Sequence, residues 1–437
     1  MHDSPLAVVA ELILLLAVIL VAAKIGGEVS ERYLKIPPVL GELGAGILIS
    51  PFLLGGIHWF GGGAIFELAH DGSGLPVEPQ LFFVAQLAAV VLLFEAGLET
   101  NRDQFMKYVR PATAVAAGGV ILPFFMGFAA TVMLGFADID SIEGMLPALF
   151  VGAIMTATSV GITARVLADI RRLDSPEGVT VMAGAVVDDV LGIIILAIVI
   201  GISEEGTVTA GSIGVIFLKA VGFWLGLMII GSIVSKYISN FVLWFKSAGA
   251  ALVLALALAF IASAVAEIYF GLAMIIGAYT MGLALSGTEL KHQVEDSMRS
   301  VNNFLVPIFF VVIGMQVDFT AFGAGDTSLG SAILFAVVLT LFAVISKIVG
   351  SGVPALFVGF NRIGAIRVAL GMLPRGEVAL IVAGIGLTSG VIGQDVFGVA
   401  IVMTVVTTVL APVFLIPAFK GGSGLKNPEN HETETEE

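Results

Sequence analysis

The chain of 437 residues contains no cysteine. That excludes disulfides, thiol nucleophiles and cysteine-held metals. Histidine is scarce as well: His2, His58, His70, His292 and His431 all fall in expected loops or termini, so no histidine metal cluster is expected inside an apolar segment. Charge is sparse, at 12% of residues against about 25% in soluble domains. Lys and Arg number 20 against 34 Asp and Glu, a formal net charge of −14, which argues against a nucleic-acid partner. No basic stretch precedes the first apolar run, so no cleavable signal is expected and residues 7–23 read as a retained helix. No glycine-rich phosphate loop or dinucleotide spacing sits in a strand–helix context. With no nucleophile, metal or phosphate motif, neither an enzyme nor a cofactor is expected.

Apolar residues are plentiful instead, at 58%. They recur in runs of about 20, the length of a bilayer-crossing helix. The expected fold is an all-α polytopic membrane protein with about thirteen spans: 6–24, 37–55, 80–99, 111–136, 146–168, 179–202, 212–235, 248–266, 270–286, 302–317, 329–357, 363–390 and 396–417. The polar, acidic stretch 420–437 reads as a short disordered tail to a transporter domain of residues 1–419.

The basic residues support this layout. Seventeen of the 20 Lys and Arg cluster at the ends of odd-numbered spans, from Lys24, Arg32 and Lys35 after the first to Lys420 and Lys426 after the last. The loops after even spans carry acids instead, such as Asp138, Asp140, Glu143, Glu204 and Glu205. The positive-inside rule then puts the odd loops and the C-terminus in the cytoplasm and the N-terminus outside. The compact chain suggests a bacterial or archaeal cell (inner) membrane. An odd count suits two inverted repeats, about 6–202 and 248–417, joined by a linker helix at 212–235. The fifth and twelfth spans then correspond. Both are poor continuous helices: one carries "TATSVGITAR", the other "LPRGEV". Interrupted spans at matching places in two halves point to a transporter's binding site.

Three basic residues remain inside spans: Lys219, Lys347 and Arg375. The acids inside spans are more telling. Asp188 and Asp189 lie adjacent in "AGAVVDDVLGIIILAIV". A charged side chain at membrane depth costs about 2.5–3.5 kcal/mol on insertion scales, so function is the default reading. Two carboxylates this close need protons or a small hard cation to neutralise them. The hydroxyls and freed carbonyls of "TATSVG", Thr156 to Gly161, would complete an oxygen cage. The alternative is that they merely bond back to the preceding turn. Lys347 lies too deep to snorkel easily; it needs a carboxylate, with Asp188 or Asp189 the economical partner, or must lose its proton. Arg375 and Glu377 flank the interruption of the twelfth span and would compensate the partial charges of its half-helix ends. Glu42 and Glu95 are also in apolar contexts; Glu11 and Lys219 read as interfacial or structural.

Six motifs occur in order between residues 37 and 382: "PPVLGELGAGILISP", "LLFEAGLET", "TATSVGITARVLAD", "AGAVVDDVLG", "FFVVIGMQVD" and "GMLPRGEVALIV". Together they resemble the monovalent cation:proton antiporter superfamily, in its aspartate-pair branch. The resemblance implies exchange of Na⁺, or Li⁺ or K⁺, for H⁺ by a homodimer with a dimerisation domain and a six-helix core domain. It implies two broken helices crossing in that core, and a core that moves like an elevator. It gives Asp189 the role of main ion and proton carboxylate. Asp188 becomes the partner of Lys347, and Thr158 and Ser159 become ligands at the first broken helix. The aspartate pair resembles electrogenic members that move more than one proton per cation. Potassium-efflux members often continue into a nucleotide-binding domain. Here about 20 residues follow the last span, so Na⁺ is favoured over K⁺. A cation channel with an acidic filter is a further reading. An organic-anion carrier suits an aspartate pair poorly.

Overall fold

The computed structural model describes residues 5–34, 36–57, 64–68, 76–205, 210–318 and 328–426. Among these there is no β-strand, and the chain is an all-α polytopic membrane protein. The helices are α1 (Pro5–Val29), α2 (Pro38–Leu48), α3 (Pro79–Glu99), α4 (Arg102–Met133), α5 (Ile142–Thr156), α6 (Val160–Asp169), α7 (Pro176–Glu205) and α8 (Ala210–Trp244). They continue with α9 (Ala250–Phe270), α10 (Met274–Leu285), α11 (Glu289–Met315), α12 (Leu329–Phe357), α13 (Arg362–Gly371), α14 (Glu377–Thr388) and α15 (Gln394–Ala418).

Each of the thirteen expected spans overlaps one helix or a broken pair. Nine helical runs among the described residues are long and apolar enough to cross a bilayer, or ten with α8, which bends by 58° between Val221–Gly231 and Ile233–Val242. The remaining apolar segments are short. α2 has 11 residues and α10 and α14 have 12 each, against about 20 for a full crossing. In α2 the expected span to residue 55 stops at Leu48, and Ser50–Leu53 turns back before the 3₁₀ turn Leu54–Gly56. Pro51 follows at once, with no N–H to continue the helical ladder.

The chain forms two compact units, each drawing on both halves of the sequence. One comprises Met1–Leu98, Ile229–Val265 and Met274–Thr320; the other comprises Glu99–Met228, Ala266–Ala273 and Ala321–Glu437. In the first, α1, α2 and α11 pack on one another. Only 17% of the apolar window of α1 is buried inside the protein, leaving Leu6, Ile13, Leu14, Val21 and Ile25 turned outward. That outward face suits hydrocarbon, since lipid is as apolar as leucine. Glu42 is buried in α2, and Glu95 of α3 accepts a hydrogen bond from Asn302 of α11.

The second unit holds the candidate site. α4 packs against α5, α7 and α12, while α15 packs against α6, α12, α13 and α14. Phe150, Ile154, Met155, Phe335, Leu339 and Met403 belong to its apolar core. The α4–α12 crossing depends on paired glycines: a Cβ at Gly118 would overlap the Gly350 carbonyl, and one at Gly350 would overlap that of Gly118. Small residues allow this approach where no hydrophobic drive presses membrane helices together.

The chain after α15 is also docked. Asn361 caps α13 through Oδ1, and its Nδ2 donates to the carbonyls of Ser423 at 2.7 Å and Leu425 at 3.1 Å. Residues 420–426, read above as the start of the tail, therefore lie against the α12–α13 turn. Residues 427–437 lie outside the described residues. Arg367, counted above among the loop cations, is buried in α13 and pairs with Glu177 of α7 at 2.7 Å.

Replacing Gly350 by Val should lower the melting temperature of the detergent-purified protein by several degrees, as overpacking typically costs about 1–3 kcal/mol. An unchanged melting temperature would show that the helices can part there without loss.

Candidate functional site

The site begins with two interruptions. α5 ends at Thr156 and α6 begins at Val160, with Ala157 and Ser159 in extended conformations. α13 ends at Gly371 and α14 begins at Glu377. Between them lies Pro374, which has no N–H to donate and turns its predecessor away from helical angles.

The two interruptions bind each other. The Ser159 N–H donates to the Pro374 carbonyl at 2.8 Å. Thr163 Oγ1 donates to the Gly371 carbonyl at 2.6 Å. Thr158 Oγ1 lies 3.5 Å from the Met372 carbonyl, at the edge of hydrogen-bonding range, and its side chain also bonds Asp188. Thr408 of α15 donates to the Arg375 carbonyl. A Cβ at Gly376 would lie 2.6 Å from Ser159 Oγ and 2.7 Å from Ser159 Cβ, so the approach of the second break to the first requires glycine there.

A helix that stops in hydrocarbon leaves carbonyls without intrahelical partners and a partial negative charge. At the end of α5 two buried cations meet them. Lys347 Nζ donates to the Thr156 carbonyl at 3.0 Å. Arg375 Nη1 donates to the Ala157 carbonyl at 2.7 Å. Both side chains are fully buried. Lys347 Nζ also pairs with Asp188 Oδ1 at 3.1 Å. One amine thus ties α12 to the acid of α7 and to the open end of α5. Arg375 Nε and Nη2 have no hydrogen-bond partner among the described residues.

Asp189 sits beside this pair. It lines, with Asp188, Thr156, Ala157, Gly192 and Val378, a cavity of about 60 Å³. A water needs roughly 10–15 Å³ on the same measure, so a small ion with part of its hydration shell would fit. Asp188 is 2% exposed and Asp189 8%, so Asp189 is the more open of the two. No grouping of three or more His, Cys, Asp or Glu that could hold a metal occurs among the described residues. The carboxylates of Asp188 and Asp189 line this cavity, and the carbonyls of Thr156 and Ala157 beside them are met by Lys347 and Arg375.

The structure brings Asp188, Asp189, Thr158, Ser159, Lys347 and Arg375 into one unit around the paired breaks. Glu377 opens α14, but its side chain lies outside the described residues. Thr156 uses its hydroxyl to bond back to the Ala153 carbonyl at 2.8 Å, and its carbonyl is the atom that meets Lys347. The carbonyls of Thr156 and Ala157, and the hydroxyls of Thr163 and Thr408, escape a reading of side-chain types. Their partners lie far away in sequence, 191 residues for Lys347–Thr156. Lys219 is exposed on α8.

A helical membrane protein with two interrupted helices joined at a buried acid–lysine pair has the layout of an ion-coupled transporter. The sodium/hydrogen exchanger transmembrane family matches residues 13–421, and the chain belongs to that family, within the monovalent cation:proton antiporters. It is 36% identical to the high-affinity Na⁺/H⁺ antiporter NhaS3 of Synechocystis over 97% of this chain and 93% of that one. It is 32% identical to the Na⁺/H⁺-K⁺ antiporter GerN of Bacillus cereus over 92% of this chain and 94% of that one. The fold matches the sodium proton antiporter MjNhaP1 of Methanocaldococcus jannaschii with a TM-score of 0.64 at 16% identity, covering 94% of this chain and 99% of that one.

Gly376→Ala should displace Ser159 and raise the KM for the transported cation several-fold, while the protein still folds and inserts. An unchanged KM would remove Ser159 from the set of ligands.

Proposed function

We propose that the chain exchanges Na⁺, or Li⁺, for H⁺ across the membrane. The observation that carries the reading is the Lys347–Asp188 pair at the open end of α5, beside Asp189 and its cavity. An acid pair at membrane depth must be neutralised before it crosses hydrocarbon cheaply, and two kinds of cargo can do this in turn.

In the proton-loaded form, Asp189 holds one proton and Lys347 another, with Lys347 paired to Asp188. In the cation-loaded form, Na⁺ lies between the two carboxylates, with Thr158, Ser159 and freed backbone as further oxygen ligands. Na⁺ takes over the role of the ammonium at Asp188, and Lys347 becomes neutral. Two protons are then exchanged for one Na⁺, one net charge moves per cycle, and transport is electrogenic. With neither cargo bound, Asp189 is ionised with no cation beside it, which holds the core in place and prevents leak. Arg375 keeps its charge throughout, because it caps Ala157 in every state. The access change is of the elevator type that the resemblance implies, in a homodimer. The membrane is the cell (inner) membrane, with the N-terminus outside and the C-terminus cytoplasmic. Similarity to GerN, named as a Na⁺/H⁺-K⁺ antiporter, supports K⁺ as a second cargo at the same oxygens.

The test is collapse of a pH gradient in proteoliposomes on adding Na⁺, Li⁺ or K⁺, at several membrane potentials. Cation-dependent, potential-dependent collapse is expected, and Asp189→Asn should lose it by at least a hundredfold. Collapse that survives in Asp189→Asn would refute the assignment. Large currents without proton coupling would mean a channel.

A further inference from the structure

We propose that Arg367 is a positioning residue for cation binding: with Glu177 and the docked segment 420–426 it fixes the register of α13 against α7, and so the place of the second break beside the acid pair. The proposal rests on the reading that Na⁺ binds at Asp188 and Asp189, and it names the contact that holds that site in shape from a distance.

α13 is a rod of 10 residues, about 15 Å long at 1.5 Å per residue. It packs along α7, and the contacts climb both helices together. Arg367 pairs with Glu177. One turn further, Gly371 faces Val181, and a Cβ on the glycine would lie 2.7 Å from Val181 Cγ2. Next, Gly184 faces Met372, where a Cβ on the glycine would lie 3.5 Å from the sulfur. Asp188 follows one turn on from Gly184. The carbonyls of Gly371 and Met372, at the head of this ladder, are the ones that face Thr163 and Thr158 of the first break. A slip of α13 along α7 therefore displaces both breaks relative to the acids.

Arg367 fixes the foot of the ladder, and all three nitrogens of its guanidinium are engaged. Nη1 donates to Glu177 Oε1 at 2.7 Å, Nε to the Ala418 carbonyl at 2.9 Å, and Nη2 to the carbonyls of Gly421 and Gly422. Glu177 stands in the first turn of α7 and Ala418 ends α15, so acid and cation each sit at the helix end that favours them. The docked segment closes over this pair. The Asn361 N–H donates to the Gly424 carbonyl at 2.9 Å. A Cβ at Gly364 would overlap that carbonyl, and one at Gly424 would overlap Glu177 Oε1. A buried ion pair adds little net stability, because desolvation offsets the attraction, and its best-attested use is to fix register. Residue 177 lies about 16 Å along α7 from residue 188 at 1.5 Å per residue. The pair therefore acts on the cation site through the ladder.

The experiment is the Na⁺ dependence of proton movement in proteoliposomes holding the full chain, resolved into KM and maximal rate, with the melting temperature measured alongside. Arg367→Lys keeps a charge opposite Glu177, but one compact ammonium cannot replace the guanidinium fork that spans the carboxylate and three carbonyls. Asn361→Asp keeps the Oδ acceptor that caps α13 and removes the Nδ2 donor that holds Ser423 and Leu425. Each variant should raise the KM for Na⁺ about threefold or more and keep the maximal rate within about twofold, since a binding site needs its geometry held to about 0.5 Å. Both loosen one clasp, so the double variant should raise KM by less than the product of the two. A lowered melting temperature or maximal rate with KM unmoved would overturn the proposal, because the clasp would then be a support alone. Fully multiplicative effects in the double variant would overturn it as well. If Arg367→Lys does not fold, Asn361→Asp decides the matter by the same KM criterion. If the unaltered protein shows no Na⁺-dependent proton movement, the underlying reading fails and the proposal with it. If the unaltered protein exchanges and the variants keep its KM, only the role of Arg367 is overturned.

Discussion

The pairing of Lys347 with both Asp188 and the open end of α5 is the contact on which the rest of the site depends. Hydrocarbon offers no water to satisfy a stray charge or an orphan carbonyl, and each such group costs several kcal/mol. An interrupted helix and a buried acid are each untenable there alone. Joined by one amine at 3.0 and 3.1 Å, each answers the need of the other. Arg375 does the same for the neighbouring carbonyl of Ala157. The breaks can therefore persist at depth.

The same contact explains how a cation and protons compete. The ammonium occupies the position beside Asp188 that Na⁺ would take in the proposed exchange. In the proposed exchange, binding of one displaces the other because both compete for the same carboxylate oxygen of Asp188. Asp189 is the more open of the two acids. The second break is drawn in through Ser159 and Pro374 and made possible by Gly376, and Phe150, Ile154, Met155 and Met403 belong to the apolar core of the same unit.

Much of this could be read from residue types, because membrane depth makes polar residues conspicuous. Asp188, Asp189 and Lys347 stand out against their apolar neighbours, and Pro374, Gly376 and the hydroxyl cluster mark the interruptions. The interleaving of two units from both halves of the chain could not be read. No local pattern records which helices pack, and approaches such as Gly118 on Gly350 depend on the absence of a side chain. Arg367 misleads for a related reason. It sits near a span boundary where loop cations are expected, yet Glu177, 190 residues away in sequence, takes it into the core. The docked segment 420–426 was hidden behind its composition: a polar, acidic stretch reads as disorder, but the backbone carbonyls of Gly422, Ser423 and Leu425 are what Arg367 and Asn361 bind.

The central claim is that Na⁺ and protons exclude one another at a single acid–lysine site. Titration calorimetry of Na⁺ into the purified protein, repeated in buffers of different ionisation enthalpy, counts the protons released per Na⁺ bound. The account predicts release of more than one proton per Na⁺ under conditions where Asp189 and Lys347 both start protonated, and a smaller number as the pH rises. Na⁺ binding with no proton release at any pH would contradict it.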